Sequence, residues 1–303
     1  MSALLVGIDE NGLGPRLGPL LVTGVLASAS AEGARWLRSE GAGAMARLDD
    51  SKKLASFHRP EVAEAWARAL VPGALDPDAL VEEVSLLRQD KLRALCPRHV
   101  EAQCWSPSPP FQADTRVQAE VASDLEDLRR RGVRVLAVRS AILCSERLHR
   151  SRDAGHSLLT TDLHAMESLL LALREQADGE IDAVCGKVGA LDKYLPRLGA
   201  LSGIPATIEE EGKAASRYRF AGLGSVAFVR DADSSDLLVA LASLVGKYLR
   251  EVLMSKIAAY YLRQDPSLPR PSGYRDPVTA RFVEGSASLR RLALVPDRCF
   301  LRP

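Results

Sequence analysis

Apolar positions fall into short runs and a few long periodic stretches, and these mark the elements of the chain. Leu4, Leu5, Val6 and Ile8 form a run of the length expected of a strand buried on both faces. It ends in two adjacent carboxylates, Asp9 and Glu10. Gly12, Gly14, Pro15, Gly18 and Pro19 follow, residues that neither extend a strand nor start a long helix. Leu20 to Leu26 is apolar again, so the pattern predicts strand, glycine-rich loop, strand. Residues 33–47 fit a helix or a short third strand equally. His58 to Leu70, with Pro60 near its start, and Asp76 to Leu87, opened by Asp76 and Pro77, predict helices. Pro97, Pro107, Pro109 and Pro110 predict irregular chain from Cys96 to Ala113, so residues 55–130 read as a helical, loop-rich insertion in a compact core.

Val117 to Arg131 predicts a helix closed by Gly132, and Val133 to Ile142 alternates arginine with apolar residues, the period of a half-exposed strand. Arg147, His149, Arg150 and Arg152 form a basic stretch that would suit a nucleic-acid backbone, although a solvated face is the commoner explanation. Thr161 to Arg174 predicts an amphipathic helix with Asp162 near its cap. Ile181 to Cys185 is a short strand running into Gly186, and Val226 to Arg230 is another, ending in Asp231 and Asp233. From Asp236 to Leu262 the apolar residues Leu237, Leu241, Leu244, Val245, Tyr248 and Leu249 keep a 3.6 period, predicting a long helix. Pro266 to Pro271 breaks it, leaving residues 266–303 as a short helical and loop tail. Strands joined by helices, with a hairpin first, predict a single α/β domain over residues 1–303 with a mixed sheet.

Composition narrows the class. The chain has 303 residues, 47% hydrophobic and 26% charged, as expected of a globular protein. No apolar run approaches the ~20 residues of a membrane span. The N-terminus lacks a basic flank and a cleavage signal, so a cytoplasmic protein without membrane partners is expected. Five cysteines without a C-x-x-C pair predict reduced thiols rather than zinc ligands or disulfides. At a formal net charge of +1, any nucleic-acid binding must come from a local patch.

The chemistry sits at the first loop. Acids at a strand end are costly to bury without a counter-ion, and a divalent metal is a common one. Ordinary surface acids on a hairpin fit the local pattern as well. A dinucleotide fingerprint would open a helix, which the prolines oppose, and a phosphate loop needs a G-K-[ST] that is absent.

The segment GIDENGLGPRLGPLLVTGV resembles the first signature of the ribonuclease HII family, roughly D-E-x-G-R-G-P-x-x-G-P, and Asp50-Ser51-Lys52-Lys53-Leu54 resembles its second, D-S-K-K-L. Two matches in order identify the chain as a divergent member with an insertion. The resemblance implies a ribonuclease H-like mixed five-stranded sheet flanked by helices. It also implies a metal-dependent endoribonuclease that cuts the RNA strand of RNA–DNA hybrids, or ribonucleotides embedded in duplex DNA. Such hydrolysis uses two Mg²⁺ or Mn²⁺ ions about 4 Å apart. A monomer is expected.

The family uses four acids. The first two correspond to Asp9 and Glu10. The fourth precedes a helix segment like A-A-S-I-L-A-K-V-T-R-D-R-L-M; aligning Ser243 and Lys247 places it on Asp233, with Asp231 the alternative, and the match extends to Arg250, Leu253 and Met254. The third normally ends a strand as V-D-G, but here reads Val184-Cys185-Gly186. Thiolate is a poor ligand for Mg²⁺. Either Cys185 leaves the site impaired or another acid compensates, and Asp236, one turn from Asp233, is the obvious candidate, although an acid there also suits a helix N-terminus. Asp182, three residues before Cys185, points the other way on a strand.

The family's G-R-G element reads the ribonucleotide 2′-hydroxyl, the group that distinguishes RNA from DNA. Here it is Gly12-Leu13-Gly14, so substrate contacts are expected from Asn11, Gly12, Leu13, Gly14 and Pro15, with Arg16 replacing the missing guanidinium. Ser51, Lys52 and Lys53 would meet phosphate, and Gly273-Tyr274 resembles G-Y-G-T, whose tyrosine packs on the next nucleotide. The alternatives are a catalytically impaired nucleic-acid-binding homologue and a related nuclease with another substrate, since function does not follow from fold.

Overall fold

The computed structural model describes residues 2–39 and 60–303. A seven-stranded sheet forms its centre: β1 Ala3–Asn11, β2 Leu20–Ala29, β3 Val133–Leu143, β4 Ile181–Gly186, β5 Ala206–Glu211, β6 Ala215–Phe220 and β7 Gly224–Val229, in the order β3-β2-β1-β4-β7-β6-β5. β1, β2 and β3 pair antiparallel, β4 lies parallel between β1 and β7, and β7, β6 and β5 pair antiparallel. The mixed α/β class is as expected, but the sheet has seven strands rather than five. The two unforeseen strands form the β5–β6 hairpin. β5 is exposed along nearly its whole length and carries no apolar alternation, whereas β6 buries Ser216, Tyr218 and Phe220 and exposes Arg217 and Arg219.

Helices cover both faces: α1 Ala31–Ser39, α2 Pro60–Leu70, α3 Pro77–Val84, α4 Thr115–Arg130, α5 Ser145–Asp153, α6 Leu158–Glu175, α7 Ala232–Ser235, α8 Leu237–Leu262 and α9 Pro277–Gly285, with shorter turns between. The pleat of β1 alternates its side chains between these layers. Leu5 packs in a core with Trp66 of α2, Val121 of α4 and Leu241 of α8, whereas Val6 and Ile8 pack with Leu163, Met166 and Leu170 of α6. Gly7 allows α8 to lie directly on β1: a Cβ there would stand 2.2 Å from the Leu238 backbone carbon. Among the described residues no helix is long and apolar enough to cross a membrane.

Two local expectations need correction. The segment 96–113 is not wholly irregular, because Arg98–Val100 forms a 3-10 turn and Glu101–Trp105 a short helix, both lying between the prolines rather than across them. α6 starts at Leu158 with Ser157 as its cap, so Asp162 is an interior residue on the buried face. The basic stretch of α5 is in part a solvated face, its commoner explanation, with Arg150 and Arg152 exposed; Arg150 pairs with Glu146 at 2.9 Å, Arg147 donates to the Lys91 carbonyl at 2.5 Å, and a His149 ring nitrogen lies 3.0 Å from the Leu301 carbonyl. Residues 266–303 close a third core in which Leu17, Tyr261, Phe282 and Phe300 are all buried, with Tyr261 meeting Phe300 edge-on at 5.5 Å. All five cysteines are free.

Candidate active site

Parallel strands β1, β4 and β7 end on the same side of the sheet, and their C-terminal ends open into a cleft of about 790 Å³. Its walls carry Asp9, Glu10, Asn11, Gly12, Gly186, Asp231, Asp233, Lys247, Arg250 and Tyr274. Each acid arrives by a different device. Asp9 and Glu10 are consecutive on β1 and therefore leave on opposite faces. Asp9 turns to α8, where Ser243 hydrogen-bonds its carboxylate and Lys247 is a nearby cation. Glu10 turns to the face of α6, where Asp162 is its principal charged neighbour. Asp233 comes from α7, after a turn in which Asp231 takes the left-handed conformation at φ 51° that aspartate tolerates better than most residues.

Crowding of acids shapes the electrostatics. Burial, and then the Glu10 charge, push the Asp9 carboxyl well above its usual range. Burial and Asp162 raise Glu10 to about 7. Gly186 permits the packing, since a Cβ there would come within 2.9 Å of an Asp9 carboxylate oxygen.

Cys185 does not join the cleft. It pairs with Ile8 in the β1–β4 register and is fully buried in the α6-side core, where burial pushes its thiol far above the normal range. A protonated, buried thiol is no ligand for a hard cation. Asp236 is also set apart. Its carboxylate caps α8, accepting from the Leu238 and Val239 amides at 2.9 and 3.0 Å, and it lines a separate cavity with Arg38 and Asp182. Asp182 faces that second cavity, hydrogen-bonded by Ser225 at 3.2 Å and paired with Arg38, as strand alternation requires.

The glycine loop divides into parts that line the cleft and parts that do not. Asn11 and Gly12 are on the wall, whereas Leu13, Gly14, Pro15 and Arg16 are not among its lining residues. The Arg16 amide donates to the Gly273 carbonyl at 2.7 Å. The guanidinium at the loop is that of Arg250, buried beneath Gly12 and stacked on the exposed Tyr274 ring at 4.7 Å. Gly12 has φ 102°, and a Cβ on it would stand 3.1 Å from Arg250 Nε. Arg302 donates to the Gly12 carbonyl and Leu17 bridges to Leu301, so the C-terminal segment braces the loop. Ser51, Lys52 and Lys53 lie outside the described residues.

One acid escaped the sequence reading. Asp162 is fully buried, and among the described residues neither of its carboxylate oxygens has a hydrogen-bond partner. Burial and the Asp9 charge raise it to about 8. Its helical position looked like a cap; only its place in the α6 stripe with Met166, Leu169 and Leu173 shows that it faces the sheet.

The donor chemistry of Asp9, Glu10 and Asp233, all carboxylate oxygen, fits Mg²⁺ or Mn²⁺ rather than a thiophilic ion. Among the described residues no three His, Cys, Asp or Glu side chains are already gathered around one point.

No protein-family model and no curated protein matches the chain. Among solved structures, it is similar to RNase HII from Archaeoglobus fulgidus, determined in complex with PCNA, at 18% identity and TM-score 0.45 over 99% of this chain and 93% of that one. It is similar to ribonuclease H2 from Pyrococcus horikoshii OT3 at 15% identity and TM-score 0.49, covering 98% and 92%, and to Bst-RNase HIII in complex with Mn²⁺ at 13% identity and TM-score 0.45, covering 99% and 66%. None of these likenesses transfers a residue role to this chain.

Proposed function

We propose that the protein is a metal-dependent nuclease of ribonuclease H type, hydrolysing the RNA strand of RNA–DNA hybrids or at ribonucleotides embedded in duplex DNA. The observation that carries this reading is the delivery of Asp9, Glu10 and Asp233 to one cleft that also holds Lys247 and Arg250. Asp9, Glu10 and Asp233 would hold Mg²⁺ or Mn²⁺. When bound, such ions activate water as the nucleophile and stabilise the leaving oxygen.

The chain's own residues do the rest. Ser243 orients the Asp9 carboxylate, and Lys247 sits where it offsets the charge of the acids or of a phosphate. The exposed Lys213 and Arg230 extend the positive rim along which a backbone would run. Arg250 stiffens the Gly12 turn from beneath and holds the Tyr274 ring as a stacking platform for a base. The turn's backbone then faces the ribose 2′-hydroxyl, while Leu13, Pro15 and Arg16 shape the loop from outside.

Cys185 favours a second reading, in which the protein binds hybrids without cutting them. Duplex DNA carrying one ribonucleotide, incubated with Mg²⁺ and separately Mn²⁺, discriminates the two. Cleavage by wild type, lost at least a hundredfold in Asp9→Asn, is the expected result. Tight binding with no cleavage in either metal would establish the binder instead.

A further inference from the structure

The end of β4 lacks the acid that a four-carboxylate site would place there, yet a carboxylate is present on the same side of the sheet. Cys185 pairs with Ile8, and both side chains enter the core beneath α6. Glu10, two residues beyond Ile8, leaves on that face. Asp162 lies near the start of α6 on its core stripe, and α6 leads into β4; Glu10 lines the cleft, and Asp162 is buried behind that lining. The charged neighbours of Cys185 are Asp162 first, then Asp236 and Asp9; Asp162 is also the first charged neighbour of Glu10, and Asp9 is the charged neighbour of Asp162.

Asp162 has no structural occupation to explain it. Other buried acids of this protein are fully engaged: Glu64 accepts from the Gln112 and Ala113 amides at 2.7 to 2.9 Å, and Glu167 from the Gly199 and Leu201 amides at 2.9 to 3.0 Å. Asp162 is as deeply buried and accepts nothing from the described residues. An unpaired carboxyl in that setting costs stability unless something positive meets it. Among the described residues no Lys or Arg acts on it, and its charged neighbour is Asp9.

We propose that Asp162 supplies from helix α6 the carboxylate that Cys185 withholds from strand β4, so that the cation site comprises Asp9, Glu10, Asp233 and Asp162. This rests on the metal-dependent reading of the cleft. The substitution moves the fourth oxygen donor from a strand end to an adjacent helix while leaving it on the Glu10 side of the sheet. It also accounts for Cys185 as a core residue, since its apolar surroundings are completed by a thiol and would be broken by a second charge beside Asp162.

Calorimetric titration of Mn²⁺ into the full chain tests this without reference to turnover, with the Mn²⁺-induced rise in melting temperature as a second readout. Asp9→Asn, Asp162→Asn, Asp162→Ser, Cys185→Asp and the double variant Asp162→Asn/Cys185→Asp are compared. Asp162→Asn and Asp162→Ser should each weaken Mn²⁺ binding by about ten- to a hundredfold. Both should melt higher than wild type without metal, because an unpaired buried acid has been removed. Adding Cys185→Asp to Asp162→Asn should recover most of the lost affinity. Cys185→Asp alone should lower the metal-free melting temperature by crowding two carboxylates. If Asp9→Asn abolishes binding while both Asp162 variants bind like wild type, this inference falls and the reading of the cleft stands. If wild type binds no Mn²⁺, both fall together.

Discussion

At the scale of single residues, the site is governed by the cost of holding carboxyl groups together out of water. Glu10 and Asp162 stand at about 7 and 8 in the folded protein, against an ordinary carboxylate value near 4. Between roughly pH 4 and pH 8 the native state therefore keeps protons that the unfolded chain has released. Native stability in metal-free buffer should fall as pH rises through that window, by about 1.4 kcal/mol per pH unit for each retained proton. Urea melts with EDTA from pH 4 to 9 check this, and Asp162→Asn should flatten the slope. A flat profile for wild type would mean that neither group is held protonated. Arg250 makes a second residue-scale case. Arg250→Lys keeps the charge but loses the planar stack on Tyr274 and the packing under Gly12, so hybrid binding should weaken by about 1 kcal/mol or more in a filter-binding assay.

Elements fix where those residues point. β1 presents its two acids to opposite layers, so α6 and α8 must both be seated before the cleft exists. The closest seating is α8 on Gly7. Gly7→Ala places a methyl 2.2 Å from the Leu238 backbone carbon, and the helix must lift. A loss of about 3 kcal/mol or more is expected in urea unfolding, with reduced cleavage because Ser243 and Lys247 move away from Asp9. Unchanged stability would show that α8 rides further from the strand. The same β1–α8 contact accounts for α8 being buried on nearly all sides in its first half, where its apolar residues run around the helix.

Across the whole molecule, the C-terminal segment meets the glycine loop near the start of the chain. Phe300 is buried against Tyr261 and Phe282, Leu301 bridges to Leu17, and Arg302 donates to the Gly12 carbonyl. Phe300→Ala should therefore cost about 3–5 kcal/mol in the third core and also loosen the loop more than 280 residues away in sequence. The check is a paired measurement of urea unfolding and hybrid affinity; stability lost with affinity intact would separate the C-terminal core from the cleft. The rim adds a global electrostatic expectation. Lys213→Ala should lower hybrid affinity about equally for all sequences and reduce the salt dependence of binding by roughly one ion.

The sequence by itself determined the hairpin, the long helix, the mixed α/β class, and the position of Asp9 and Glu10 near the end of β1. Apolar period and glycine–proline punctuation are local signals, and local packing obeys them. It did not disclose β5, whose exposed, charged residues carry no period, nor that Arg250 rather than Arg16 stands at the glycine loop. Nor did it disclose the role of residues 266–303 as a packed core, or the burial of Asp162. Those depend on which faces meet across the sheet. A buried carboxylate on a helix looks like any polar interruption until the opposing strand is known, and a cysteine at a strand end looks like a ligand position until its side chain is found in the core. Only the tertiary structure decides the neighbours of a charge, and the cost of an unpaired charge is what marks a site.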